Sequence, residues 1–391
     1  LMEEVTISTQ GQRVKTLKQL LKHANVDTKK WRVSSWRCNS WEQSVKGGEE
    51  TITLYQVKAN LERKIEPDRN PAHPARTIPR IESVPPRVCG LRTTLFIPDL
   101  QLGFCWRDRY TYLEPMHDRV AMDAVMSLVK SMRPENIVLL GDMLDLAPWS
   151  TRFPRKPEYR QTTQPSIDEL HWWLADLRGA SPASKIVYMA GNHEARVDRA
   201  IIELLPEASG IAPALETDPV LSLNRLLHLD KLDIEYIGPY GADWWLWPES
   251  NSPVRVTHGN KVRSGAGSTA TAIAKSTRWS EVYGHIHKVE MVQKTFHGPS
   301  GPQTVTAMSP GCLVRVPGPT PGVSLAPDWQ QAVGLAILDE NTNDVHIQLL
   351  PITNGRLIWD GQIFEGHDPF ERIAFETGWK QFIGEKHGQE R

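Results

Sequence analysis

The segment ENIVLLGDMLD, residues 135–145, decides how the chain is read. An unbroken apolar run, Ile137 to Leu140, stops on a glycine and is followed by two acids, Asp142 and Asp145. A short continuous apolar run bounded by turn residues suits a strand buried on both faces, as in a parallel sheet. The same layout recurs along the chain. TTLFIPDLQ (93–101) ends in Asp99 and Gln101, and SKIVYMAGNHE (184–194) ends in Asn192 and His193. SPVRVTHGN (252–260) runs into His258, and SEVYGHIHK (280–288) into His285 and His287. Between the first three strands, Val120, Ala121, Ala124, Val125 and Leu128 predict a helix over 117–132, and a Trp-containing helix is predicted over 167–177. Repeated strand–helix units predict an α/β fold with a largely parallel sheet and functional groups on the loops after its strands. Short alternating runs over 289–352, such as VEMVQKTFHG and DVHIQLLP, predict a second sheet of meandering strands.

Taken singly these strand ends mean little. A lone Gly-Asp or Gly-Asn pair is ordinarily a turn, because those residues supply turn backbone angles. Together they are different, since a parallel sheet lines up the C-terminal ends of its strands along one edge, where their side chains can converge.

The ordered set PDLQ, GDMLD, GNHE, THGN, GHIH resembles the motif series DxH, GDxxD, GNH[DE], H, GHxH of the calcineurin-like metallophosphoesterase superfamily, over residues 94–287. Four of the five motifs match, and the fifth has Gln101 where the family has histidine. The resemblance implies a two-sheet α/β/β/α sandwich and a phosphoesterase using two divalent transition-metal ions, Mn first and Fe or Zn as alternatives. It implies that Asp142 bridges both ions and that Asp99, Gln101 and His287 serve the first. Asn192, His258 and His285 would serve the second. His193 would contact the phosphate and stabilise the leaving oxygen, oriented by Asp145. Carboxylates with neutral imidazoles form an N/O shell suited to such metals rather than to calcium, and water between two such cations becomes a nucleophile. At Gln101 an amide oxygen is a poorer donor than imidazole. Three readings therefore stand: a weak or outer ligand, a labile first metal, or a binding protein without catalysis.

Composition is that of an ordinary folded chain, with 391 residues, 40% apolar and 23% charged. No run of about 18 apolar residues is present to span a bilayer, and LMEEVTISTQ lacks the layout of a signal peptide. Four scattered cysteines show no framework spacing, so a cytoplasmic setting is expected. The chain begins with Leu rather than Met, which suggests a fragment. Charge is uneven: residues 1–90 carry 16 Lys+Arg against 10 Asp+Glu, and the remainder 29 against 36. That asymmetry predicts an anionic partner for the N-terminal segment, against the plainer reading of a solvated basic surface.

The expected organisation is a small basic α+β module over 1–65, of winged-helix type, a linker over 66–90, the metallophosphoesterase domain over 91–360 and a tail over 361–391. In the module, Val14, Leu17, Leu20 and Leu21 predict a helix, TITLYQVKANLER a strand running into a polar turn, and Trp31, Trp36 and Trp41 stacking platforms for nucleic acid or a small core. Six prolines within 66–88 mark the linker. Candidate substrate contacts are Arg152, with Arg155, Lys156 and Arg160 after it, then Arg196, Lys261 and Arg263. The expected activity is hydrolysis of phosphodiesters in nucleic acid. Alternatives are a phosphatase or nucleotide phosphodiesterase on small molecules, or a nucleic-acid-binding regulatory protein with a vestigial site. The layout also resembles phosphoesterases carried by bacteriophages, which implies a bacterial host cytoplasm.

Overall fold

The computed structural model describes residues 4–28, 30–44, 51–63, 90–107, 112–152, 156–299, 301–318 and 327–368. The predicted linker, Gly90 excepted, lies outside the described residues, as does Arg155. The chain divides into two compact units.

The first unit holds β1 (Glu4–Gly11), α1 (Leu17–His23), β2 (Trp31–Ser44) and β3 (Thr51–Arg63) in an antiparallel sheet of order β1-β3-β2. Thr16 and Gln19 form a reciprocal capping box that starts α1 at Leu17, so Val14 of the predicted helix precedes it. Leu20, Val14, Val57 and Ala59 make its small core. Among the described residues this unit has one helix and three antiparallel strands, where a winged-helix type was expected. TITLYQVKANLER is strand throughout, where a polar turn was expected. The three tryptophans all lie on β2 without sharing a face. A bulge between Val33 and Ser35 keeps Trp31 and Trp36 on the side of Ala59, and Trp41 opposite Leu54 falls on the other side. A single stacking platform is therefore excluded.

The second unit opens with β4 (Leu91–Ile97), the short strands β5 (Phe104–Arg107, of which Trp106 and Arg107 group with the first unit) and β6 (Tyr112–Pro115), α2 (Arg119–Met132) and β7 (Asn136–Leu139). Then come α3 (Thr163–Ala180), β8 (Lys185–Met189), α4 (Ala195–Leu204), α5 (Leu223–Leu226) and β9 (Ile234–Ile237). β10 (Asp243–Leu246), β11 (Val254–Thr257), α6 (Ser268–Ser276), β12 (Ser280–Tyr283), β13 (Val289–Gly298) and β14 (Gly301–Pro310) follow. The unit closes with β15 (Ala332–Asp339), β16 (Asp344–Pro351), β17 (Arg356–Trp359) and β18 (Gln362–Glu365).

The fold is mixed α/β. One six-stranded sheet has the order β16-β15-β4-β7-β8-β9, with β4, β7, β8 and β9 parallel. A five-stranded sheet has the order β10-β11-β12-β14-β13, parallel at β11–β12 and β12–β14. The predicted second sheet over 289–352 is corrected here. β13 and β14 belong to the five-stranded sheet, while β15 and β16 extend the six-stranded one. Alternate residues of β4, β7 and β8 explain the split core. Leu95, Ile137 and Ile186 face α2 and α3, whereas Phe96, Val138 and Val187 pack on Leu246, Val254, Val256, Val282 and Met308 of the other sheet. Ile273 and Ala274 of α6 cover the far side of that sheet with Tyr283 and Ala307.

Helix α2 begins at Arg119 because Asp118 accepts hydrogen bonds from the Val120 and Ala121 amides. The boundary predicted at residue 360 cuts a real hairpin. β17 and β18 pair across it, and Phe364 is buried in the main core. No helix among the described residues is long and apolar enough to cross a membrane.

Candidate metal centre

The sheets set the site. Ile97 pairs with Leu139, and Leu139 with Tyr188, so three neighbouring parallel strands end at one level. In the other sheet Thr257 pairs with Tyr283, which brings the histidines after β11 and β12 to one edge as well. The backbone then bends sharply. Gln101, Asp142, His285 and His287 all have positive φ, between 42° and 72°. Non-glycine residues held there carry strain of about 1 kcal/mol or more each, and such strain gathers at functional sites. Two glycines allow the approach. A Cβ on Gly141 (φ +92°) would lie 2.8 Å from both the Gly191 amide nitrogen and His258 Nδ1, and one on Gly191 would overlap Asp142.

The predicted ligands form one continuous chain of contacts. Asp99 Oδ1 is 3.3 Å from His287 Nε2, and that nitrogen is 3.0 Å from Gln101 Nε2. Gln101 Nε2 lies 3.5 Å from His193 Nε2, which lies 3.7 Å from Asp142 Oδ2. Asp142 Oδ2 is 3.3 Å from His258 Nε2, itself 3.1 Å from Asn192 Oδ1. Asp142, His258 and His285 each offer a ligand atom, all within 4.8 Å of one another. Asp99, Gln101, Asp142, Asn192, His193, His258, His285 and His287 are thus brought together.

The chemistry of this cluster fits divalent cations. Four carboxylates are buried, with relative exposures of 0% for Asp99, 1% for Asp142, and 2% for Asp145 and Glu194. Among the described residues the only permanently charged cation within ion-pairing distance of these four is Arg196, 3.9 Å from Asp145 Oδ1. Burying that much negative charge uncompensated is strongly unfavourable. Gln101 Oε1 and Asp145 Oδ2 are buried without a hydrogen-bond partner, which leaves oxygen donors available. Burial pushes the Asp142 carboxyl up, but the His193 and His258 imidazoles outweigh it and hold it far below the usual range. Burial pulls His258 down, yet Asp142 beside it drives its pKa up to about 10. His285 shifts the other way, lowered by burial and by His258.

His193 sits on the cluster's inner side. Nδ1 donates to the Asp145 carbonyl oxygen at 2.8 Å, with the Asp145 carboxylate further off at 3.4 Å. The orienting group is therefore first the main chain of Asp145, where its carboxylate was expected. Arg196 donates to His193 Nε2 at 2.8 Å and to the Asp145 carbonyl at 2.6 Å. Burial lowers the His193 pKa and Asp142 raises it, with a net shift upward.

One residue was missed. Glu194 accepts from the amides of Gly191 (2.9 Å), Asp142 (2.9 Å), Met143 (2.9 Å) and Leu144 (3.2 Å), and from the Tyr188 hydroxyl (2.8 Å). Burial and then Asp142 raise its pKa. It staples the GDMLD loop to the GNHE turn, and the acid closing the GNH[DE] motif was the available signal. Tyr240, whose ring lies 5.9 Å from that of His258, and Trp329, 4.2 Å from His287, flank the cluster; neither carried a sequence signal.

Of the predicted substrate contacts, Arg196 is at the site, committed to His193 and Asp145. Arg152 is exposed on the loop after residues 147–149. Lys261 and Arg263 are exposed, and among the described residues neither contacts the cluster; the glycine-rich loop carries them outward.

No family model matches the chain. It is similar to the Gene 54 protein of Mycobacterium phage D29, 27% identical over 262 residues that cover 64% of this chain and 94% of that protein. It is similar also to the Gene 54 protein of Mycobacterium phage L5, 25% identical over 261 residues, with 64% and 94% covered. The chain therefore has phage proteins among its relatives, and the geometry of its strand ends carries the functional reading.

Proposed function

We propose that the chain is a metal-dependent phosphoesterase of the calcineurin-like type, cleaving phosphodiesters, with nucleic acid as substrate. The observation that carries this is the cluster in which Asp99, Gln101, Asp142, Asn192, His193, His258, His285 and His287 meet at the strand ends, with a single permanent cation beside its buried carboxylates among the described residues. The helix–sheet–sheet–helix layering of the second unit supports the same family.

Asp142 would be shared between two ions, with Asp99, His287 and Gln101 on one side and Asn192, His258 and His285 on the other. Bound divalent transition metals, manganese foremost, would supply positive charge to the phosphoryl oxygens and acidify a water. The chain does the rest. His193, tethered through Nδ1, turns Nε2 toward the cluster, and once the Arg196 guanidinium releases that nitrogen it can hold a proton for the departing oxygen. Arg196 fixes that ring and adds positive charge beside it. Burial of the strand ends keeps bulk water from the carboxylates.

The test is metal counting on purified protein together with hydrolysis of bis-p-nitrophenyl phosphate and p-nitrophenyl phosphate in Mn²⁺. Diester turnover exceeding monoester turnover is expected. Monoester preference would favour a small-molecule phosphatase. Bound metal with no hydrolysis of either would reject the enzyme and leave the regulatory reading. The Gln101→His variant beside wild type should bind the weaker of two ions more tightly. Two ions held equally in both variants would remove the labile-metal reading.

A further inference from the structure

We infer that Trp245, Trp279 and Phe296, with Arg278 and Lys294 among them, form a binding face for single-stranded nucleic acid on the outer side of the five-stranded sheet. Binding there needs no hydrolysis at the strand ends, so it goes beyond the phosphoesterase reading and holds or fails separately from it.

Alternation along the strands puts these residues on one face. Leu246, Val254, Val256 and Val282 point into the core between the sheets, so Trp245, Arg255 and Glu281 point outward. On β13, Val292 packs under α6, and Lys294 and Phe296 follow it at every second position. Helix α6 extends only to Ser276. Beyond it, the Thr277 hydroxyl donates to the Trp279 carbonyl and the Gln303 amide to the Arg278 carbonyl, both at 3.1 Å, which fixes this turn. The face lies at the start of β11 and β12, whereas His258 and His285 follow their ends.

Contacts run unbroken across it. The rings of Trp245 and Trp279 meet edge-on with centroids 5.5 Å apart. Arg278, next in the chain, places Cζ 3.8 Å from the Phe296 ring centroid, and Lys294 Nζ lies 4.4 Å from the same centroid. Trp245 and Trp279 are 41% and 36% exposed, so ring surface stays open to solvent. Among the described residues neither Arg278 nor Lys294 has an ion pair. Three acids on this face are engaged, Asp243 and Glu281 by Arg255, and Glu290 by the Gly267 and Ala270 amides. Two cations against one ring repel each other, and a phosphate between them relieves that. Exposed indoles beside unpaired cations suit a strand whose bases stack while its backbone meets the charges. A second copy of the chain fits less well, because a two-fold contact through this face sets the same cations against each other.

The test is fluorescence anisotropy on the full chain with labelled oligothymidylate of about 20 nucleotides, longer than the usual site of one such surface. Oligouridylate and a duplex are measured beside it, all with phosphorothioate links that resist cleavage. Trp279→Ala should weaken single-strand binding about tenfold, the scale of one lost base stack, and leave duplex binding unaltered. Trp279→Phe, which keeps a ring, should restore most of the loss. The Arg278→Gln, Lys294→Gln double variant should lower the slope of log affinity against log salt by about 0.7 for each phosphate contact removed. Weakening of either single strand in this pattern supports the face. No single-strand binding by wild type, equal loss for strand and duplex, or unaltered affinity in all of these variants overturns it. Sedimentation velocity reads the other occupant: a wild-type dimer that Trp279→Ala dissociates, with strand binding unchanged, assigns the face to a second copy.

Discussion

Two buried ionic clusters lie in the second unit, and they are built on opposite principles. Around Glu169, Arg119 donates to both carboxylate oxygens at 2.8 Å and His117 Nε2 lies 2.7 Å from Oε1. Burial raises the Glu169 carboxyl, but Arg119 and His117 outweigh it and hold it well below the usual carboxylate range. That cluster closes its own charge. At the strand ends, among the described residues, one arginine stands within ion-pairing distance of one of four buried carboxylates, and oxygens of Gln101 and Asp145 have no hydrogen-bond partner. A closed cluster stabilises the fold, whereas an open one leaves interactions for something not encoded in the chain.

The comparison predicts different failures. His193→Gln, in the open cluster, should lower turnover by about 10²–10⁴, the usual share of a general acid, while metal content stays near that of wild type. Unchanged turnover rejects the role. Glu169→Gln, in the closed cluster, should instead cost about 3 kcal/mol of unfolding free energy, since it removes the buried carboxylate that Arg119 and His117 share. Metal content should not change, and urea unfolding beside metal analysis reads both. The folded pKa of Glu169 lies below its unfolded value, so its stabilisation is fully present above about pH 4.3. It is lost as pH falls from there through the depressed value. The variant should lose that acid-side slope, and an identical slope in both proteins would contradict the ion pair.

Glu194 lies between the two types, because its hydrogen bonds are complete yet serve the open cluster. Glu194→Gln puts an amide against main-chain N–H groups, which should loosen Asp142 and weaken Mn²⁺ binding by about tenfold, the scale of a charged hydrogen bond. Calorimetric titration reads this. Unaltered affinity in a folded variant would reduce Glu194 to a structural residue.

Much of the site was legible before the fold. Asp99, Asp142, Asn192, His258, His285 and His287 follow apolar runs at spacings that a parallel sheet must bring together. Lys261 and Arg263 looked equally plausible, since a basic pair after His258 reads the same whether its loop folds inward or outward. The assignment of β13–β16 also escaped the sequence. Alternating strands report that one face is buried, and say nothing of which sheet they join. In the small unit one bulge decided the tryptophans, because a single inserted residue reverses which face every later side chain occupies.

The sequence by itself determined the strand-end motifs and therefore the residue types that meet, because period and turn chemistry are local properties of the chain. Only the tertiary structure decided which charges are compensated. It separated Glu169, paired with a permanently charged arginine, from Asp142, faced by the imidazoles of His193 and His258, and it committed Arg196 to His193 and Asp145. Those distinctions depend on burial and on distances between residues far apart in the chain.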